Sequence, residues 1–290
     1  VIRYSSYEEG GETIEVVAVQ PNIDPYFEKF DSDPMDQLSK MLGLGDSLIT
    51  PKTDYMVFPE TALQELASAR ASNSGVEKFG LWESIMDQSQ SVQRLREYMS
   101  DFPKLNMVVG MASSKMYRKG HQGTETSREL GQTGIQYDHY NSALYLDQTD
   151  SIQIYYKSKP LIGVERMPFT WLMKHFEELI WEMGGTTGSL GVQQDREVFG
   201  GNNAPAIVAP VICYESVFGE FVGDFILKHN ANVIFIITND GWWDNTPGHR
   251  QHNAYASLRA IEHRRSIARS ANTGISCFVD QRGDITQATE

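Results

Sequence analysis

The chain has 290 residues, 40% of them hydrophobic and 11% aromatic, enough to bury one large core. Its 38 acidic residues outnumber 25 lysines and arginines, giving a net charge of −13; that balance argues against a nucleic-acid partner and against simple electrostatic docking on anionic lipid. No apolar run reaches the ~20 residues needed to cross a bilayer, and the two cysteines, Cys213 and Cys277, make neither a metal cluster nor a disulfide framework.

In chain order, IEVVAVQPN (14–22) predicts a buried strand ending at a proline-containing turn. Residues 33–49 predict a helix that starts near Ser32 or Asp33, with Pro34 in its first turn. DYMVFPE (54–60) is a second apolar strand, with Glu60 just past its end. The stretch 63–82 is polar and rich in Ala, Ser and Gly, a long excursion. SIMDQSQSVQRLREYMSDF (84–102) then predicts one helix, and LNMVVGMASS (105–114) a strand. Residues 118–136, rich in Gly, Thr and Gln, predict a hairpin or loop. YNSALYLDQTDSIQIYYK (140–157) predicts a hairpin turning at Asp147–Asp150.

IVAPVICYE (207–215) is another apolar strand, with Cys213 near its exit. SVFGEFVGDFILKHN (216–230) predicts a helix, NVIFIITND (232–240) a strand and AYASLRAIEHRRSIARSA (254–271) a helix. ISCFVDQRGDI (275–285) opens a last hairpin. Strands alternating with helices from end to end predict a single α/β domain.

Three residues carry candidate chemistry. Cys213 sits where a strand hands over to a helix N-terminus, an elbow at which a thiol can be presented as a nucleophile; a buried free cysteine fits the same position. Glu60 ends a strand, where ligands gather in open parallel sheets, and there a carboxylate can act as general base or remain a solvated strand end. Lys157 closes SIQIYYK (151–157), and its ammonium could stabilise an oxyanion and depress a neighbouring thiol pKa. Lys159 shares its face by strand alternation, so periodicity does not choose between the two.

The surroundings of these residues resemble a known family. VFPET (57–61), YYKSKPLIGVERMPF (155–169) and VICYESVFGE (211–220) are similar to the three catalytic boxes of the nitrilase superfamily, in order and spacing. TNDGWWDNTPGHRQH (238–252) and RSANTGIS (269–276) resemble segments of its apolipoprotein N-acyltransferase branch. The resemblance implies a nitrilase-type αββα sandwich with Glu60 as base, Lys157 as oxyanion-stabilising lysine and Cys213 as acyl-accepting thiol. In that family a glutamate follows the lysine by eight positions and a proline by three more; Lys157 leads to Glu165 and Pro168, Lys159 to Met167 and Thr170. Glu165 thus inherits a supporting role, and Tyr214 and Glu215 match residues that shape the pocket. The family's usual His-Leu-x-Pro-Phe-Gly-Glu reads Lys159-Pro160-Leu161-Ile162-Gly163-Val164-Glu165 here, which changes the loop and leaves the lysine and glutamate in place.

The implied reaction moves an acyl chain from a phospholipid, through a cysteine thioester, to the N-terminal amine of a diacylglyceryl-apolipoprotein, with neither metal nor organic cofactor. The implied setting is the extracytoplasmic face of a bacterial inner membrane, the membrane being engaged through flanking helices outside this chain. On that reading residues 1–13 are a linker, and 14–290 a nitrilase-like domain cut short in its last hairpin. A soluble carbon–nitrogen hydrolase and a non-catalytic lipoprotein-binding domain are the alternatives. FTWLMKHFEELIWEMGG (169–185) carries apolar residues at helical spacing, including Trp171 and Phe176, and reads either as a core helix or as a substrate entrance. Trp242, beside Trp243, belongs to the same entrance or to ordinary rim packing. His249 and His252 open a helix without a third ligand nearby, so they do not predict a metal site.

Overall fold

The computed structural model describes residues 2–26, 28, 29, 32–65, 80–161, 165, 189–201, 204–243 and 246–289. The apolar helical segment with Trp171 and Phe176 lies outside them.

After a short helix α1 (Ile2–Ser6), strands β1 (Val16–Ala18), β2 (Tyr55–Val57) and β4 (Asn106–Met116) run parallel as neighbours in the first sheet. A short β3 (Leu81–Trp82) pairs with the far end of β4. The strand β6 (Gln136–Leu146) pairs antiparallel with β4 and forms the expected hairpin with β7 (Ile152–Tyr156), while β5 (Arg128–Glu129) adds two residues to its edge. In the second sheet β8 (Val208–Ile212), β9 (Val233–Thr238) and β10 (Ile267–Ala271) are parallel, and β11 (Cys277–Val279) and β12 (Ile285–Thr286) complete it antiparallel.

Strand alternation sorts the first sheet into two faces. Tyr55, Val57, Val108, Ala143 and Tyr145 pack with Val208, Val211, Phe235 and Ile237 of the second sheet in one core. Met56, Met107, Val109, Leu144 and Leu146 face the other way, onto Leu38, Met41 and Leu95. Those last residues belong to α2 (Pro34–Asp46) and α3 (Gln90–Ser100). On the outer face of the second sheet lie α4 (Gly219–Leu227), through Phe221, Val222 and Phe225, and α5 (Gly248–His263), through Ala256 and Ala260. The layers are therefore helix, sheet, sheet, helix, the αββα sandwich of the nitrilase fold.

The starts of α2 and α3 follow local capping chemistry. Asp33 Oδ1 accepts from the Met35 amide at 2.7 Å, with Pro34 at the first helical position as expected. The single helix expected over 84–102 is broken in two at Ser89, whose extended backbone frees its hydroxyl to cap α3 at the Val92 amide, 3.2 Å away. The helix expected over 254–271 is also corrected: α5 stops at His263, Arg264 turns left-handed at φ 50°, and Ile267–Ala271 is a strand. Its Ala and Arg residues favour helix locally, but pairing on both sides in a buried sheet outweighs that weak preference.

Topology then brings the site together. Because β7 is antiparallel to β6 and β6 to β4, β7 runs in the direction of β2. Their C-terminal ends lead into Lys157 and Glu60, while β8 and β9 lead into Cys213 and Asn239. Strand ends of this kind are where α/β folds place ligands.

Candidate active site

Glu60 is held from three sides. Its Oε1 accepts from Lys157 Nζ at 3.0 Å and from Asn141 Nδ2 at 2.7 Å, and its Oε2 from the Asn239 backbone amide at 3.1 Å. Lys157, only 3% exposed, also donates to Glu165 at 2.9 Å and so bridges two carboxylates. The same Asn141 amide reaches Glu165 Oε1 at 2.7 Å, and Glu165 Oε2 accepts from the Leu161 amide at 2.8 Å. Gly110 on β4 makes room for the Glu60 turn: a Cβ there would stand 2.3 Å from the Pro59 carbonyl oxygen and 2.6 Å from Glu60 Cα.

Cys213 opens a 3-10 turn, Cys213–Val217, directly after β8, and its φ is 51°. A side chain with a Cβ rarely adopts that left-handed region, so the surroundings must impose it. Cys213 is partly exposed, whereas Cys277 is buried and donates to Asn253 Oδ1 at 3.3 Å, an ordinary core thiol. Glu215 ties the cysteine box to the lysine box: its Oε1 accepts from the Ser158 amide at 2.6 Å and Tyr155 hydroxyl at 3.0 Å, and its Oε2 from the Ile212 amide at 2.9 Å.

Charge balance decides which species the site holds. Burial alone would raise Glu60, but Lys157 and the Asn141 hydrogen bond bring its carboxyl below the usual range. Burial works against the Lys157 ammonium too, yet Glu165 and Glu60 hold it firmly charged. The Cys213 thiol is pushed up to about 12, by burial first and the Glu60 charge second. Lys157 does pull it down, as expected, but is outweighed, so Cys213 rests as a thiol in the field of the Glu60 carboxylate. Burial pushes Glu215 up to about 7 against its backbone donors.

Lys157, and not Lys159, faces Glu60: the Lys159 ammonium lies 5.7 Å from the ring centres of Phe218 and Phe221. The Tyr214 ring packs edge-on against Phe218, 5.5 Å between centres. Trp242 and Trp243, each 37% exposed, occupy the rim just after Asn239, and Trp242 meets Tyr26 edge-on at 5.2 Å.

Three site residues escaped sequence reasoning. Asn141 is a polar residue inside an apolar strand, and that inward position was its only signal. Asn239 lay within the branch-specific box but contributes through its backbone. Lys29 had no local signal: it looks like a surface lysine, yet it is buried, donating to the Glu60 carbonyl at 3.2 Å and to Thr61 Oγ1 at 2.5 Å. Burial lowers its pKa to about 8, with the Glu60 and Cys213 charges opposing that fall.

Comparison with known proteins bears on the family and the fold. Apolipoprotein N-acyltransferase of Chlorobaculum tepidum is 28% identical over 289 residues, covering 97% of this chain and 49% of that protein. The Rhizobium leguminosarum bv. trifolii protein of the same name is 28% identical over 274 residues, 92% of this chain and 44% of its own. The chain thus spans about half the length of these relatives. A Saccharomyces cerevisiae member of branch 10 of the nitrilase superfamily superposes with a TM-score of 0.60 at 15% identity, over 95% of this chain and 85% of the other. An amidase from Nesterenkonia sp. AN1, with acrylamide added at its active-site cysteine, gives 0.59 at 13% identity, over 96% and 89%. The carbon-nitrogen hydrolase family matches residues 15–290, and the chain belongs to that family.

Proposed function

We propose that this chain is the acyl-transfer domain of an apolipoprotein N-acyltransferase. Glu60 takes the Cys213 thiol proton as sulfur attacks the ester carbonyl of a phospholipid. The C–S bond forms, and negative charge builds on the carbonyl oxygen beside the Lys157 ammonium. Collapse breaks the ester C–O bond, and Glu60 returns its proton to the departing lysophospholipid oxygen. The α-amine of a diacylglyceryl-apolipoprotein then attacks the thioester. Glu60 takes the amine proton, the C–N bond forms, the C–S bond breaks, and the thiol is restored. Two acyl transfers through one thioester make the cycle ping-pong.

Glu165 keeps Lys157 charged and aimed, Glu215 holds the two boxes in register, and Trp242 at the rim contacts the incoming acyl chain. Membrane attachment on the extracytoplasmic face comes from parts of the protein outside this chain; among the described residues no helix is long and apolar enough to cross a membrane. The observation that carries the chemistry is the Lys157 ammonium bridging Glu60 and Glu165, with Lys157 and Glu60 both acting electrostatically on the Cys213 thiol. The choice of acceptor is supported by relatives that align along nearly the whole chain.

Mass spectrometry of the full-length protein in phospholipid vesicles tests this reading. An acyl adduct on Cys213, lost in Cys213→Ala, is the expected result. No adduct on the wild-type protein would contradict it.

A further inference from the structure

Behind Cys213 lies a buried polar chain that the proton transfers above leave unused. Arg269 NH2 on β10 donates to Asp240 Oδ2 at 2.7 Å, and Asp240 Oδ1 stands 2.8 Å from His252 Nδ1. His252 Nε2 is 3.1 Å from the Cys213 carbonyl oxygen and 3.0 Å from Ser216 Oγ. Ser216 Oγ itself donates to the same carbonyl at 2.8 Å. Each of these four side chains belongs to a residue no more than 5% exposed.

A buried histidine tied to a carboxylate most often fastens one element to another, here α5 to the second sheet. Three observations go beyond that role. The carbonyl it meets belongs to the nucleophile itself. Cys213 is held at a φ of 51°, and a carbonyl gripped by two donors resists relaxation to an ordinary conformation. Asp240 also directly follows Asn239, whose amide binds Glu60, so one cluster braces both the nucleophile and its base.

Chemistry fixes the direction of the contact. The Cys213 carbonyl and the Asp240 carboxylate both only accept, so the ring meets the two contacts with a hydrogen on each nitrogen.

We propose that His252 is a positioning residue for Cys213: braced by Asp240 and Arg269, it holds the nucleophile in its left-handed conformation. The inference rests on Cys213 as nucleophile and not on the identity of donor or acceptor.

An activated ester isolates that step. The full-length protein in vesicles is mixed with p-nitrophenyl butyrate, and the p-nitrophenolate burst reports Cys213 acylation whatever the natural lipid. His252→Ala is expected to slow the burst by up to ~100-fold with KM within about twofold, since misplacement of a reacting group costs rate more than binding. His252→Gln, whose amide N–H reaches the Nε2 position, is expected to recover the rate to within a few-fold. His252→Asn, whose amide falls short at the Nδ1 position, is expected to remain slow. If His252→Ala does not fold, the Gln and Asn pair decides alone. A burst in His252→Asn as fast as wild type per folded molecule, at any Tm, overturns the proposal. Absence of a burst in the wild type overturns Cys213 as nucleophile, and this role with it.

Discussion

Lys157 stands between two carboxylates in a place where neither ion has much water, and that sets the cost of losing it. Removing one partner of a buried ionic cluster typically costs about 3–5 kcal/mol, because the charges left behind are uncompensated. Lys157→Met is thus expected to lower Tm and to slow Cys213 acylation by about 10²–10³-fold, the usual effect of losing an oxyanion donor; calorimetry and the ester burst read the two effects separately. Lys29 makes a subtler contribution. Glu60 and Glu165 supply two negative charges, balanced by Lys157 and Lys29, so any charge that develops on substrate oxygen is felt by both ammonium groups. With its pKa lowered to about 8, Lys29 is charged below that pH and neutral above it. Acylation is expected to decline as pH rises through about 8, and Lys29→Met to be slower at pH 7 and to lack that decline. A pH–rate profile of Lys29→Met that keeps the same alkaline limb would remove Lys29 from the reaction.

At the scale of elements, the site depends on how closely strand ends approach one another. Gly110 on β4 touches the backbone of the Glu60 turn, and a methyl group there meets atoms that are not free to move aside. Gly110→Ala is expected to cost about 1–3 kcal/mol in thermal unfolding, as overpacking generally does, and to slow acylation by displacing Glu60. Unchanged acylation with unchanged Tm would contradict that close packing. The strands bearing Glu60, Lys157 and Cys213 were legible because apolar runs and box spacing lie within contiguous stretches of chain. The strand β10 was not, since its Ile-Ala-Arg-Ser-Ala sequence reads as helix until its two sheet neighbours are known. For the same reason the joint grip of Asn141, Lys29 and His252 could not be read locally: each acts on a residue at least 31 positions away in sequence.

At the scale of the whole molecule, the two sheets share one core, and their strand ends meet at one rim. Glu60 and Lys157 come from the first sheet and Cys213 from the second, so the fold must be assembled before the chemistry exists. Sequence boxes anticipated that αββα architecture and the rim tryptophans Trp242 and Trp243, while the contact of Tyr26 with Trp242 emerged only from the packing of distant turns. The central claim is that the Cys213 thioester is resolved by an amine and not by water. A single-turnover chase tests it most directly: the full-length protein is acylated in vesicles of labelled phospholipid and then mixed with a diacylglyceryl-cysteinyl peptide. The expected result is label transferred to the peptide as an amide, at a rate that rises with peptide concentration, with little free fatty acid. Release of the label as fatty acid at a rate indifferent to the peptide would contradict the account.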